Sequence, residues 1–152
     1  MGMHTWFECK IRYEKVMENG MQKKVTEPYL VDALSFTEAE ARIIEEMTPF
    51  ISGEFTVSDI KRANYSELFP SDEESADRWF KCKLIFITLD EKSGAEKKTS
   101  TQVLVQAADL RDAVKKLDEG MKGTMADYQI GMVSETPLMD VYPYSAEPND
   151  KP

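Results

Sequence analysis

The sequence predicts an α+β fold in which internally duplicated β-β-α-β units form a mainly antiparallel sheet with two helices packed on one face. Three observations support this class. The chain has 152 residues, 41% of them hydrophobic, which is enough to bury a core without disulfides or a structural metal. Apolar residues alternate with polar ones in some segments and recur at helical spacing in others. The two halves of the sequence also resemble each other.

The resemblance between the halves is found by shifting the sequence against itself. Trp6–Tyr13 falls on Trp79–Phe86 at an offset of 73, with four of eight residues identical. Lys23–Met47 falls on Lys97–Met121 at an offset of 74, with eight identities. The alternative is a coincidence between two strand–helix patterns of similar composition. The shared order of features favours duplication.

Each half begins with a predicted hairpin. Its first strand alternates apolar and polar residues, which is typical of a strand buried on one face. The apolar positions are Phe7, Cys9, Ile11 and Tyr13 in the first half and Phe80, Cys82, Leu84 and Phe86 in the second. Asn19-Gly20 favours a type I′ turn, and residues 92–94 supply a longer loop. The returning strands are predicted over 23–33 and 97–107. Pro28 cannot donate a ladder hydrogen bond, so it predicts an edge strand or a bulge.

A helix follows each hairpin. Ser35 to Glu38 is typical of a capping box, and Asp109 to Asp112 is a weaker version. The apolar stripes are Phe36, Ala39, Ile43 and Met47 in the first helix and Leu110, Ala113, Leu117 and Met121 in the second. Each half then has a further strand, Phe55–Lys61 or Tyr128–Val133, and a short extended closing segment. The sequence therefore predicts two units of equal design.

The predicted domain organisation follows these units. Residues 1–70 form the first repeat, 71–78 an acidic linker and 79–144 the second repeat, and the repeats together make one pseudo-twofold domain. Residues 145–152 are polar and proline-punctuated, which predicts a disordered tail.

Composition excludes several classes of protein. No apolar run reaches the length of a membrane helix, and no secretory signal is visible at the N-terminus. With only two cysteines, we expect a cytoplasmic protein with reduced thiols. Residues 70–78 and 140–152 carry −5 of the net charge of −9, which favours a solvated linker and tail over mimicry of a polyanion.

No residue pattern indicates a catalytic, cofactor-binding or metal-binding site. Cys9 and Cys82 occupy equivalent strand positions and are interpreted as small buried hydrophobic residues rather than a redox pair or half a metal site. His4 has no second histidine to form a site with it. We therefore expect no cofactor.

One surface is a candidate for binding. The first strand of each half places a tryptophan and cations opposite the predicted core face, with lysine pairs on the neighbouring strand. The candidate residues are Trp6, Lys10, Arg12, Lys23, Lys24, Trp79, Lys81, Lys83, Lys97 and Lys98. Exposed aromatic rings among cations are typical of single-stranded nucleic-acid platforms. Alternatively, the tryptophans cap the core edge and the lysines discourage aggregation between sheets.

Three stretches of the sequence resemble a known family. Trp6–Lys10, Glu27–Arg42 and Met139–Pro143 are similar to an uncharacterised bacterial family, domain of unknown function 4494. The likeness covers nearly all of the chain except the tail. It implies a small cytoplasmic protein and carries no catalytic residues over to this sequence.

The functional expectation is a small non-catalytic binding or interaction module. Its surface would meet a protein partner or another copy of the chain. The alternative is a single-stranded nucleic-acid accessory factor that uses the candidate surface. The third hypothesis is an enzyme whose site cannot be recognised from the sequence.

Overall fold

The computed structural model describes residues 5–143. His4 and the predicted disordered tail, 145–152, therefore lie outside the described residues. In chain order the elements are β1 (Trp6–Val16), β2 (Gln22–Asp32), α1 (Phe36–Met47), β3 (Phe55–Ala63), β4 (Glu67–Phe69), β5 (Arg78–Leu89), β6 (Glu96–Ala107), α2 (Leu110–Gly120), β7 (Asp127–Glu135) and β8 (Asp140–Tyr142).

The α+β class and the mainly antiparallel pairing are confirmed, but the strands form two sheets rather than one. The first sheet has the order β3-β1-β2-β8, and the second has the order β4-β6-β5-β7. Each sheet carries its own helix, since α1 contacts β1, β2 and β3, and α2 contacts β4, β6 and β7. The chain divides into two compact units, Met1–Asn64 with Pro137–Pro152 and Tyr65–Thr136.

The short closing strands are exchanged between the two sheets. β4 follows the elements of the first unit but pairs in parallel with β6, from Glu67 opposite Val103 to Phe69 opposite Val105. β8 follows the elements of the second unit but pairs in parallel with β2. The sequence boundary at residue 70 therefore differs from the boundary between the compact units, which falls between Asn64 and Tyr65.

The two central hairpins have matching registers. Cys9 pairs with Tyr29 in the first unit, and Cys82 pairs with Val103 in the second. Each sheet also has a bulge at the corresponding place. Ser58 of β3 is the extra residue opposite Lys10 and Ile11, and Gly131 of β7 is the extra residue opposite Lys83 and Leu84. These equivalences follow the offsets of 73 and 74 found in the sequence.

The helices begin at reciprocal caps, as predicted. The Ser35 hydroxyl accepts a hydrogen bond from the Glu38 amide at 3.1 Å, and the Glu38 carboxylate accepts from the Leu34 amide. The Asp109 carboxylate likewise accepts from the Asp112 amide at 2.8 Å, while Asp112 accepts from Ala108 at 2.9 Å. These bonds satisfy amides that would otherwise have no partner at the start of a helix.

Each helix packs its apolar stripe on one face of its own sheet. The core of the first unit contains Phe7, Cys9, Ile11, Val31, Ala33, Ala39, Ile43 and Met47. The core of the second contains Phe80, Cys82, Leu84, Val103, Val105, Ala107, Ala113, Leu117 and Met121. Full burial of one such leucine, isoleucine or phenylalanine side chain contributes roughly 1.5–3 kcal/mol. The predicted stripes are confirmed except at their first positions, because Phe36 and Leu110 are exposed.

Pro28 lies where the sheet can accept a residue without an amide hydrogen. It pairs with Lys10 on the side of β1, whereas β8 borders the other side of β2 only from Tyr29 to Val31. The carbonyl of Pro28 accepts a hydrogen bond from the Met139 amide at 2.9 Å. The predicted edge strand or bulge is not found, because β2 lies between β1 and β8 and pairs with β1 without a register shift. Pro28 lies just before the residues that pair with β8, so no ladder bond to β8 requires its missing amide hydrogen.

Candidate functional site

The predicted binding surface does not contain exposed tryptophans. Trp6 is 3% exposed and Trp79 is 5% exposed. Both lie on the sheet face opposite the helix of their unit, where Leu30 and Leu104 are also fully buried. A base can stack only on a ring that is open to solvent. These two buried tryptophans therefore do not offer the open ring face that base stacking requires.

The predicted cations fall on different faces of the hairpins. In the first unit, Lys10, Arg12 and Lys24 share the face that carries Trp6, whereas Lys23 pairs with Lys15 on the other face. The second unit repeats this division, because Lys81, Lys83 and Lys98 share the face of Trp79 and Lys97 pairs with Thr88 on the other. Lys10, Lys81 and Lys83 are half-buried, and the remaining cations are exposed. The ten candidates therefore do not form one continuous surface.

Two of the cations do meet in a cleft of the first unit. The cleft has a volume of about 670 Å³ and lies between the outer part of the β1–β2 hairpin and the segment that leads into β3. Its lining includes Arg12, Glu14, Val16, Lys24, Glu54 and Thr56. We refer to it as the hairpin cleft.

The sheet register explains why these side chains converge. Glu14 is directly opposite Lys24, and Arg12 is directly opposite Thr56. Since alternate residues of a strand share a face, Arg12, Glu14 and Val16 all point to the same side of the hairpin. Glu54 comes from the segment before β3. The hairpin cleft therefore presents two cations and two carboxylates side by side.

The other face of the same hairpin holds a buried carboxylate. Glu27 is 9% exposed and accepts hydrogen bonds from the hydroxyls of Tyr13 at 2.9 Å and Tyr29 at 3.3 Å. The Lys15 ammonium is 3.5 Å from the second carboxylate oxygen. The Tyr29 ring stacks on Tyr142 of β8, with centroids 6.2 Å apart. We call these five residues the Glu27 cluster.

The phenols of the Glu27 cluster stay protonated near neutral pH. Burial raises the pKa of Tyr13 to about 12, with a further contribution from its hydrogen bond to Glu27. Burial also raises the pKa of Tyr29 and, to about 12, that of Tyr142. Tyrosines in this state donate hydrogen bonds and do not accept protons. The cluster is therefore suited to holding a carboxylate in place.

The second unit has different residues at key positions of both the hairpin cleft and the Glu27 cluster. At the positions equivalent to Tyr13 and Glu27 it has Phe86 and Thr101, and the Phe86 ring packs near Tyr128 with centroids 6.1 Å apart. At the positions equivalent to Arg12 and Glu14 it has Ile85 and Ile87. Arg12 and Glu14 on one face and Tyr13 and Glu27 on the other are therefore specific to the first unit. Lys24 and Glu54 have charged equivalents in the second, Lys98 and Asp127. Sequence reasoning missed the Glu27 cluster, although a residue-by-residue comparison of the two halves contains the signal.

The cysteines provide no reactive site. Both are free thiols with 0% exposure, each within the core of its own unit. Burial raises the pKa of Cys9 to about 12, with smaller contributions from Glu8 and Asp59, and raises that of Cys82 to about 11. The prediction that they are buried small hydrophobic residues is confirmed.

Two further observations concern metal binding and membrane insertion. Within residues 5–143, no three histidine, cysteine, aspartate or glutamate side chains come together in a way that could hold a metal ion. None of the helices in this part of the chain has the length and apolar character needed to cross a membrane.

Comparison with known proteins gives a family. The family described as Domain of unknown function (DUF4494) matches residues 5–144. The chain belongs to this family. The match covers every described element of both units, including the hairpin cleft and the Glu27 cluster. Neither the curated proteins nor the solved structures contain a match to the chain.

Proposed function

We propose that this member of the DUF4494 family is a small non-catalytic binding module whose hairpin cleft recognises a protein partner. The observation that carries the proposal is the difference between the two units. The first unit places Arg12, Glu14 and Lys24 on an open face, where the second unit has isoleucines at two of the three positions. The two equivalent sheets therefore present different side chains at this one place.

The chemistry of the hairpin cleft suits a protein surface. Alternating charges recognise a partner by complementarity and disfavour partners with the wrong pattern. The volume of about 670 Å³ is large enough for several side chains of a partner. The Glu27 cluster supports this role, because a satisfied network of buried hydrogen bonds stiffens the hairpin behind the cleft.

The protonation states of the thiols and phenols favour binding over catalysis. A nucleophile needs a lowered pKa or an adjacent base. The pKa values of Cys9, Cys82, Tyr13 and Tyr142 are all raised, and the thiols are fully buried. Single-stranded nucleic acid is less well supported as a ligand, because the stacking rings are buried and two glutamates share the cleft with the cations.

Two further parts of the proposal concern origin and location. We propose that the two units arose by duplication, which the matching registers, bulges and caps support. We also propose that the protein acts in the cytoplasm, which the two free thiols support.

Site-specific photo-crosslinking tests the proposed cleft. A photoreactive amino acid at Thr56 reports on the hairpin cleft, and the same group at Gln129, the equivalent position of the second unit, is the control. We expect a partner to be crosslinked in cells from position 56 only, and Lys24→Glu to abolish the product. Lys98→Glu, at the position equivalent to Lys24, should leave it unchanged.

Three results would contradict the proposal. Equal crosslinking from both positions would mean that the cleft has no special role. Crosslinked products that persist in the Lys24→Glu variant would mean that the charges of the hairpin cleft do not contribute to binding. Binding of an oligonucleotide at low salt that Lys24→Glu abolishes would favour the nucleic-acid hypothesis. A product of twice the mass of the chain would instead indicate self-association.

A further inference from the structure

The second unit ends its sheet with a long edge strand. β7 is last in the order β4-β6-β5-β7 and pairs with β5 over residues 127–135. An edge strand presents unpaired amide and carbonyl groups, which another strand can bind. Proteins usually protect such an edge with charged side chains, particularly lysine.

The two edge strands at equivalent positions differ in this protection. β3 carries Asp59, Lys61 and Arg62 within its length. β7 has uncharged residues at all seven positions between its two ends. Met132 stands where β3 has Asp59, and Ser134 stands where β3 has Lys61. The edge of the first unit is therefore protected by charge, and the edge of the second unit is not.

The side chains along β7 are also unusually apolar for an exposed strand. Ile130 is 37% exposed and Met132 is 39% exposed. Met125, two residues before the strand, is 95% exposed. The bulge places Gly131 between the stretches 127–130 and 132–135, so each stretch can pair separately with an added strand. Backbone groups and apolar side chains are thus available together.

The charges at the ends of β7 select the kind of partner. The strand begins with Asp127 and ends with Glu135. A second copy paired antiparallel about Gly131 would set Asp127 against Glu135 twice, and a parallel pair would set each acid against itself. Like charges placed opposite each other destabilise a sheet. Arg78 lies 3.7 Å from Glu135, but both side chains are about half exposed, so this ion pair offsets little of the charge.

We propose that the edge of β7 binds an extended peptide segment of a partner protein, with an uncharged centre and basic residues at both ends. The added strand pairs with the backbone of β7, its basic ends lie near Asp127 and Glu135, and its side chains contact Ile130 on one face of the sheet and Met132 on the other. This mode of recognition is β-augmentation, in which main-chain hydrogen bonds provide affinity and side chains provide specificity. The site is separate from the hairpin cleft and does not depend on it.

A panel of synthetic peptides tests this site on the full-length protein. The probe is a fluorescein-labelled nine-residue peptide of alternating threonine and valine with lysine at both ends. One control has glutamate at both ends. The second control keeps the lysines but carries N-methyl groups on alternate amides, which prevents strand pairing without changing the charge. We expect saturable binding of the first peptide only, measured by fluorescence anisotropy, with slower amide hydrogen exchange in residues 127–135.

Substitutions in the protein test whether the peptide binds at β7. Met132→Asp gives β7 the residue that β3 has at this position, and we expect it to weaken binding at least tenfold while thermal unfolding stays unchanged. Asp59→Ala in β3 and Lys24→Glu in the hairpin cleft should leave the affinity within twofold. The proposal is overturned if no peptide binds, if the N-methylated peptide binds equally well, or if protection appears outside β7. It is also overturned if sedimentation shows a dimer that Met132→Asp dissociates.

Discussion

Replacing Tyr13, Glu27 and Tyr29 together should cost less stability than the sum of replacing them one at a time. Tyr13→Phe removes a 2.9 Å hydrogen bond to a carboxylate, which corresponds to about 1.5 kcal/mol. Tyr29→Phe removes a longer bond of 3.3 Å, for which we expect about 1 kcal/mol. Glu27→Thr leaves both hydroxyls without their acceptor and should cost about 2 kcal/mol. If independent, the three changes would cost roughly 4–5 kcal/mol.

The triple variant removes both phenol hydroxyls together with the carboxylate that accepts their hydrogen bonds, so neither side of these bonds is left buried without its partner. We therefore expect it to cost less than about 2 kcal/mol, in line with other buried polar networks replaced by apolar residues. Urea denaturation followed by circular dichroism at pH 7 measures all four variants. Tyr128→Phe in the second unit is the control, because no hydrogen bond to its hydroxyl is found within residues 5–143, and it should change stability by less than about 0.5 kcal/mol. A triple variant that loses the full additive amount would refute the reasoning.

Four further predictions concern the cores and the helix ends. Cys9 and Cys82 should resist a thiol reagent in the native protein and react in urea, and rapid native labelling would show that the cores open. Because burial raises both thiol pKa values above the ordinary 9.0, folding stability should hold below pH 9 and fall as pH rises towards 11 to 12, measured by urea titrations at several pH values. Gly120→Ala should destabilise by about 1–3 kcal/mol, because its Cβ would lie 2.8 Å from the Phe69 ring, and a stabilised variant would mean that the ring moves aside. Ser35→Ala should cost about 1 kcal/mol in a thermal or urea unfolding curve through loss of the cap on α1, and an unchanged curve would contradict that role.

Local sequence patterns predicted the helices and strands well, because the formation of these elements depends on residues that are near neighbours in the sequence. The alternation in β1 and the Ser35 cap appear in the structure. The hairpin also reverses at Asn19-Gly20, but the predicted type I′ turn is wrong: only Gly20 has a positive φ, of 83°, and Asn19 does not, while the Gly20 amide donates to the Met17 carbonyl at 2.9 Å. The apolar stripes identified which helix faces are buried. Each of these features is specified within about ten residues, which is the range that periodicity and capping describe.

Long-range pairing and burial could not be predicted in the same way. The three-residue strands β4 and β8 are too short to show a period, and nothing in their sequence specifies which sheet they join. The exposure of Trp6 was inferred from alternation along β1, which distinguishes two faces but does not tell whether the second face is covered. The Glu27 cluster depends on register, since Tyr13, Glu27 and Tyr29 become neighbours only when β1 and β2 are paired.

The exchange of closing strands has a consequence for biosynthesis. Three strands of the first sheet lie within the first 63 residues, but the fourth, β8, is residues 140–142. On the ribosome, the hairpin and α1 can assemble early, since domains form as their sequence emerges. The outer side of β2 stays without its neighbour until residues 140–142 have been translated. A nascent chain stalled before β8 would therefore expose Tyr29, Leu30 and Val31 to other chains, and synthesis of β8 closes that side.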